Sequence, residues 1–329
     1  MKYRKLGQTD IEVSAVAMGC WALAGGATWG PQAESDSAAT VRAALDAGVN
    51  FFDTAEGYGD GKSEEVLGRA LAGRRREAVI ATKVSRSHLA ADQVKQACEH
   101  SLQRLQTDTI DLYQIHWPSR TVPLDETLSA LQDLRGQGKV RAIGVCNFGV
   151  RDLSDLLGIG WVETNQLPYS LLWRAIEYEI QPKCVEAGLG ILCYSPLVQG
   201  LLTGKFASPD EVPKGRARMR LFSEERPRAR HGEAGCEAET FAAIEAIRRI
   251  AEEMGEPMAK VAVAWLLRQP GVTSVIAGAR RPDQIEQTAP AADLELAPEI
   301  IDRLAETTDA IKRAMGANPD MWQSESRFR

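Results

Sequence analysis

Four titratable side chains stand at or just beyond the ends of three consecutive β-rich runs. Asp53 ends Asn50-Phe51-Phe52-Asp53, Tyr58 follows in the glycine-rich turn, Lys83 ends Val79–Lys83, and His116 ends Ile110–His116. Each alone has a bland explanation: a strand-end Asp caps a turn, a Tyr among glycines is a turn aromatic, and a lone His packs. Random surface polarity rarely fills three adjacent strand ends with complementary titratable groups, so their joint placement points to chemistry. Together they make a proton donor. A tyrosine with its ordinary pKa of about 10 is a poor acid at neutral pH, and a neighbouring lysine cation lowers that value by stabilising the phenolate. Lowering it by roughly two units takes about 2.7 kcal/mol, within reach of one desolvated charge neighbour. Asp53 is expected to pair with Lys83 and keep its ammonium aimed at Tyr58. His116 is expected to donate to the same carbonyl oxygen that Tyr58 protonates.

Such residues need a scaffold that carries strand ends to one rim. Eight β-rich runs are read at Val13–Met18, Val49–Asp53, Val79–Lys83, Ile110–His116, Ala142–Cys146, Trp161–Gln166, Gly190–Tyr194 and Ser274–Ala277. Helix-period segments alternate with them, for instance Val94, Ala97, Cys98, Leu102 and Leu105, or Leu124, Leu128, Leu131 and Leu134, which is the pattern of βαβ units. The expected fold class is therefore α/β, a (β/α)8 TIM barrel with its active site at the carboxyl ends of the strands. Tyr3–Leu6 and Ile11–Val13 flank a Gly7-Gln8-Thr9-Asp10 turn, an N-terminal β-hairpin that could plug one end. The stretch from Val198 to Glu237, with Arg216, Arg218, Arg220, Arg226, Arg228 and Arg230, reads as a long loop after strand seven, where a barrel enzyme places a lid. Trp322 is an aromatic in an otherwise polar tail, suited to folding back. Barrels of this type need about 250 residues and grow by loop insertion, so residues 1–329 are expected to form a single domain.

Composition narrows the partners. With 44% hydrophobic and 26% charged residues the chain is globular. A net charge of -6 argues against nucleic acid. Val261–Leu267, among the longest apolar runs, is far short of the roughly 20 residues that span a bilayer. The amino terminus has no apolar core of a secretory signal. Six cysteines without a C-x-x-C pair support neither a disulfide scaffold nor a zinc ribbon, and reduced cytoplasmic thiols are the default. None of the four histidines forms a ligand-spaced pair, so no metal is expected.

Taken together, Asp53-x-x-x-x-Tyr58, Ala81-Thr82-Lys83 and Ile115-His116-Trp117-Pro118 resemble the aldo-keto reductase family, over nearly the whole chain from Gly19 to about Asp309. The resemblance implies NADPH/NADP+ as cofactor and reduction of aldehydes or ketones to alcohols. Gly144-Val145-Cys146-Asn147-Phe148 is similar to the family's Gly-x-Ser-Asn-Phe strand end. With Gln166 it implies that Cys146, Asn147 and Gln166 surround the nicotinamide carboxamide, Cys146 donating more weakly than the usual serine. Tyr194, opening Tyr194-Ser195-Pro196-Leu197, is the implied stacking partner of nicotinamide, with Ser195 and Leu197 beside it. Gly200-Leu201-Leu202-Thr203-Gly204-Lys205 looks like the family's pyrophosphate loop, Gly200 allowing close approach and Lys205 neutralising charge. Gly278-Ala279-Arg280-Arg281-Pro282-Asp283-Gln284 resembles the adenosine-phosphate segment, and the paired arginines favour NADPH over NADH.

Gln284 and Thr288 are implied at the adenosine end, although Gln287 and Thr288 stand where the family often has glutamate and asparagine. Trp21 and Trp117 are expected to line the carbonyl pocket. The Pro196–Leu202 and Gly-Ala-Arg-Arg segments look closest to bacterial branches associated with inositol operons and general stress, whose substrates are small aldehydes or sugar-derived carbonyls. Two other readings share these residues: a sugar or alcohol dehydrogenase running in the oxidative direction, and a cofactor-sensing regulatory subunit. A small-molecule carbonyl is the expected partner; the sequence does not set an oligomeric state.

Overall fold

The strands alternate between two buried faces. Ala17, Phe51, Ala81, Leu112, Ala142, Leu192 and Ile276 form an inner cluster together with Leu6, Ile11 and Val13. The residues between them, such as Met18, Phe52, Ile80, Tyr113, Ile143 and Val145, pack outward into the larger cluster shared with the helices. Inner and outer residues alternate along every strand of a barrel. Small and large side chains share the inner layer, so it is filled rather than hollow.

The computed structural model describes residues 1–329 apart from the side chains of Ala27 and Thr28. Strands β1 (Tyr3–Lys5) and β2 (Glu12–Ser14) pair antiparallel as the hairpin. The barrel strands are β3 (Val16–Gly19), β4 (Phe51–Asp53), β5 (Val79–Val84), β6 (Ile110–Ile115), β7 (Val140–Cys146), β8 (Thr164–Pro168), β9 (Gly190–Tyr194) and β10 (Val272–Gly278). They close in sequence order, with β10 pairing β3, into a parallel eight-stranded barrel. Hairpin residues Leu6, Ile11 and Val13 cap the inner layer, leaving the other end free for chemistry.

The helices bury one face each. Ala91–Leu105 buries Val94, Ala97, Cys98, Ser101, Leu102 and Leu105, and Leu124–Gly136 buries Leu128, Leu131 and Leu134. Each fully buried leucine contributes about 1.5–3 kcal/mol. Acidic residues in the first turns, Asp92 in one helix and Asp125 and Glu126 in the other, complement the helix dipoles.

Strand bounds move by up to about two residues elsewhere, and two readings shift most. The run Val13–Met18 is broken at Ala15, because Ser14 turns aside to donate to the Val16 carbonyl while its amide donates to the Asn50 side chain. The run at Trp161–Gln166 begins only at Thr164 and extends to Pro168, Glu163 being used to accept from the Gln8 amide of the hairpin turn. The loop after β9 holds two short 3-10 turns and no strand before the helix Glu237–Glu253. It is packed, with Val198, Leu201, Leu202, Met219, Leu221 and Phe222 buried. Among the described residues no helix is long and apolar enough to cross a membrane.

Candidate active site

The alternation that buries Phe51, Ala81, Leu112, Ala142 and Leu192 brings the next residues of like parity into the barrel mouth. These are Asp53, Lys83, Gln114 and Tyr194, with Cys146 one step further along its strand, beyond Gly144. Register fixes their heights: Asp53 lies opposite Ala81, Lys83 opposite Gln114, and Cys146 opposite Gln166. Gly144 makes room between them, since a Cβ there would come within 2.5 Å of Thr164 Oγ1.

Lys83 is fully buried (0%). Its Nζ donates to Asp53 Oδ1 at 2.6 Å, to the Thr54 carbonyl at 2.8 Å and to the Tyr58 hydroxyl at 3.4 Å. Gln166 and Gln114 donate to the second Asp53 oxygen, at 2.7 and 3.4 Å. Tyr58 lies between aromatic neighbours, stacked on Trp21 at 5.8 Å and edge-on to His116 at 5.7 Å.

Electrostatics correct one expectation. Burial pushes the Tyr58 phenol up to about 12, against the pull of Lys83 in the other direction. The net rise is opposite to the lowering expected from a lysine neighbour. Desolvation penalises the phenolate, and Asp53 offsets the cation next to it. Burial, and then Lys83, lower His116 to about 3, so its imidazole is neutral. Burial works against the Lys83 ammonium, but Asp53, together with the Tyr58 and Cys146 groups beside it, raises it above the ordinary lysine range.

A cavity of about 930 Å³ runs from this cluster across the barrel mouth. Asp53, Tyr58 and His116 line it together with Trp21 and Trp117, while Lys83 lies beneath the lining. Cys146, Asn147, Gln166 and Tyr194 form the next stretch of wall, followed by Ser195, Leu197, Gly200 and Lys205. Gly278, Arg280, Arg281, Gln284 and Thr288 line the far end. The structure thus gathers all the expected site residues around one space.

Their contacts refine the picture. Asn147 donates to the His116 carbonyl at 3.0 Å and accepts from the Tyr194 hydroxyl at 2.9 Å. The Gln166 amide donates to Asp53, and its oxygen lies 3.6 Å from the Cys146 thiol. Ser195, Val198, Gln199 and Gly200 all have positive φ, at 54°, 48°, 53° and 100°. For a β-branched residue such as Val198 this is a strained conformation of the kind found at ligand clamps. A Cβ on Gly200 would lie 2.8 Å from Lys205 Nζ.

Among the described residues no carboxylate stands within salt-bridge distance of Lys205 or Arg216. Partial burial, and then the Arg216 and Arg281 cations, lower Lys205 from its usual value. Clustered cations beside a strained glycine turn suit a diphosphate. Both side-chain polar atoms of Gln199 and the indole nitrogen of Trp29 are buried without partners in the same cavity. These orphans fit a polar ligand.

The two arginines differ. Arg280 donates to the Trp29 and Pro31 carbonyls, each at 2.5 Å, and to Gln32 Oε1 at 2.9 Å, tying the segment after β3 to the end of β10. Arg281 is exposed and, among the described residues, forms its salt bridge with Asp283, at 3.0 Å. The expected arginine pair is therefore one structural strap and one exposed cation held by Asp283.

Sequence reasoning did not place Trp29, Gln199, Arg216 or Trp322 in the lining. Trp29 follows the first barrel strand between Gly26 and Gly30, so the strand-end rule could have found it. Trp322 comes from the far carboxyl tail, which no local signal links to the rim.

Comparisons with known proteins agree with this geometry. Residues 15–309 match the model of the Aldo/keto reductase family. The chain is 36% identical over 297 residues to Aldo-keto reductase YhdN of Bacillus subtilis, covering 87% of each protein. It is 32% identical over 337 residues to the NADH-specific methylglyoxal reductase of Escherichia coli, covering 95% of this chain and all of that one. The crystal structure of an aldo-keto reductase from Klebsiella pneumoniae in complex with NADPH superposes with a TM-score of 0.73 at 31% identity, over 93% of this chain and 94% of that one. On the matched span, the closed barrel and these relatives, the chain belongs to the aldo/keto reductase family.

Proposed function

We propose that the protein, acting as one barrel domain over residues 1–329, uses NADPH to reduce a small aldehyde or sugar-derived carbonyl to the alcohol, with Tyr58 as the proton donor. Membership of the family makes the chain an oxidoreductase. The observation that carries the reading is the neutral Tyr58 hydroxyl, 3.4 Å from a charged, fully buried Lys83, on the wall of an aromatic-lined cavity.

Each residue has a separate task. Trp21 and Trp117 offer flat apolar walls to a small carbonyl. The neutral His116 imidazole presents one N–H to the carbonyl oxygen and fixes its direction. A nicotinamide held in the cleft would supply the hydride. As charge gathers on the oxygen, Tyr58 gives up its proton, and the nascent phenolate faces the Lys83 ammonium. Asp53 keeps that ammonium protonated and aimed. Cys146, Asn147, Gln166 and Tyr194 would hold the nicotinamide end. Ser195, Leu197, Gly200 and Lys205, joined by Arg216, would hold the diphosphate. Gly278, Arg281, Gln284 and Thr288 would hold the adenosine end.

Tyr58 carries its proton near neutrality, as donation to a carbonyl oxygen requires. A phenol at about 12 is almost wholly protonated, and so is a supply of protons. The solvent-exposed Arg281 at the rim of the cavity and the Klebsiella pneumoniae NADPH complex support NADPH. The test is cofactor titration followed by NADPH consumption across a panel of small aldehydes and sugar-derived carbonyls. Turnover of at least one carbonyl is expected; NADPH binding without any turnover, alongside a stoichiometric copurifying partner, would favour a regulatory subunit.

A further inference from the structure

The end of the chain closes over the barrel mouth around one buried charge. Asp320 is fully buried (0%). Its Oδ2 accepts from Arg327 Nε at 2.6 Å and its Oδ1 from Arg327 Nη2 at 2.9 Å, a bidentate pair. The same Oδ1 accepts from the Trp322 backbone amide at 3.1 Å. Arg220 fastens this stretch from the loop after β9, donating to the Asn318 and Asp320 carbonyls at 3.0 and 3.1 Å.

Two walls of the cavity depend on that carboxylate. The Arg327 guanidinium lies 3.9 Å from the centre of the Trp117 ring, and Phe328 meets the same ring edge-on at 5.4 Å. On the other branch, the Trp322 ring runs parallel to Tyr194, 2° apart in plane and 6.4 Å between centres. Trp117 follows β6 and Tyr194 ends β9, so strands β7 and β8 stand between them. Both tryptophans line the cavity that holds Tyr58 and His116. The Trp322 indole nitrogen is buried without a partner.

We propose that Asp320 is a positioning residue for the carbonyl pocket, one carboxylate that sets Trp117 through Arg327 and Trp322 through its amide. The proposal rests on the carbonyl-reductase reading of the site. A guanidinium on an indole face must hold its plane, and the two-oxygen fork of a carboxylate is what fixes that plane. An asparagine at 320 keeps the shape but presents one acceptor where Arg327 needs two. The orientation of Trp117 is then lost. Tyr194 retains its own bond to Asn147, so the nicotinamide end stays in place while the substrate walls loosen.

Steady-state kinetics of Asp320→Asn and Arg327→Lys, with NADPH saturating and its Kd measured separately, test this. In both variants the carbonyl KM is expected to rise about tenfold, with kcat within about threefold and the NADPH Kd within about twofold of the unmutated enzyme. An unchanged KM in an active enzyme overturns the clasp, as does a parallel loss of kcat, KM and Kd that tracks a lowered Tm. An unmutated protein that turns over no carbonyl refutes the reading of the site instead. The clasp is then read from acrylamide quenching of indole fluorescence. Quenching is expected to increase in Asp320→Asn, and no increase overturns the proposal.

Discussion

The Lys83 ammonium stands 3.4 Å from the Tyr58 hydroxyl while held 2.6 Å from Asp53, so the cation that steadies the phenol is itself largely neutralised. The tyrosine therefore keeps its proton until the substrate oxygen takes it. Tyr58→Phe removes the donor without altering the stacking on Trp21. Turnover is expected to fall by roughly 10²–10⁴-fold, the usual contribution of a general acid. NADPH affinity, measured by fluorescence titration, should stay within about threefold, because Tyr58 binds the reacting oxygen rather than the cofactor. Full activity in that variant would remove Tyr58 from the role.

The pH dependence follows from the same burial. The active form of Tyr58 is protonated, and burial raises its pKa to about 12, so activity is present below that value and lost as pH rises through it. His116, lowered to about 3, is neutral across the working range and adds no acid limb there. With NADPH saturating, kcat for reduction should stay level through the neutral and mildly alkaline range. Chemistry-limited rates, identified with deuterated NADPH, are the ones to measure. A clear basic limb near neutral pH would contradict the raised phenol.

Much of this site is legible in the sequence because it is periodic. Asp53, Lys83, Gln114 and Cys146 share parity with the inner apolar layer, and strand parity is written locally. The barrel itself follows from eight repeats of one pattern. What local sequence does not hold is partnership at a distance. Arg280 and Arg281 are neighbours in the chain, yet one is bound to the Trp29–Gln32 segment and the other is exposed beside Asp283, and only the packing of that segment decides which. The sign of the Tyr58 shift is likewise a sum of burial and two opposed charges. Residue types announce the charges; the depth of burial does not appear until the fold exists.

That asymmetry between the arginines gives a cofactor experiment. Arg281→Ala removes the exposed cation, and the loss of one charge-assisted contact of about 1.5–3 kcal/mol should raise the NADPH KM by roughly 10–160-fold. The NADH KM should hardly move, since NADH has no 2′-phosphate. Arg280→Ala should act differently, weakening both cofactors and lowering Tm, because it frees the Trp29–Gln32 segment. Equal effects of Arg281→Ala on the two cofactors would show that Arg281 reads no 2′-phosphate.

Cys146 offers a gain of function. Its thiol lies 3.1 Å from Asn147 Nδ2 and 3.6 Å from Gln166 Oε1, and burial, the largest influence on it, raises its pKa and keeps it a neutral thiol. A thiol is a weak donor. Cys146→Ser places a stronger donor beside the expected nicotinamide carboxamide with little change in volume. One added neutral hydrogen bond of about 0.5–1.5 kcal/mol should tighten NADPH by roughly 2–12-fold. The gain should appear in the Kd of NADPH and NADH alike, since both carry the same carboxamide, and leave the carbonyl KM unchanged. If the new hydroxyl bonded Gln166 instead, the Kd would stay constant, which would separate position 146 from cofactor binding.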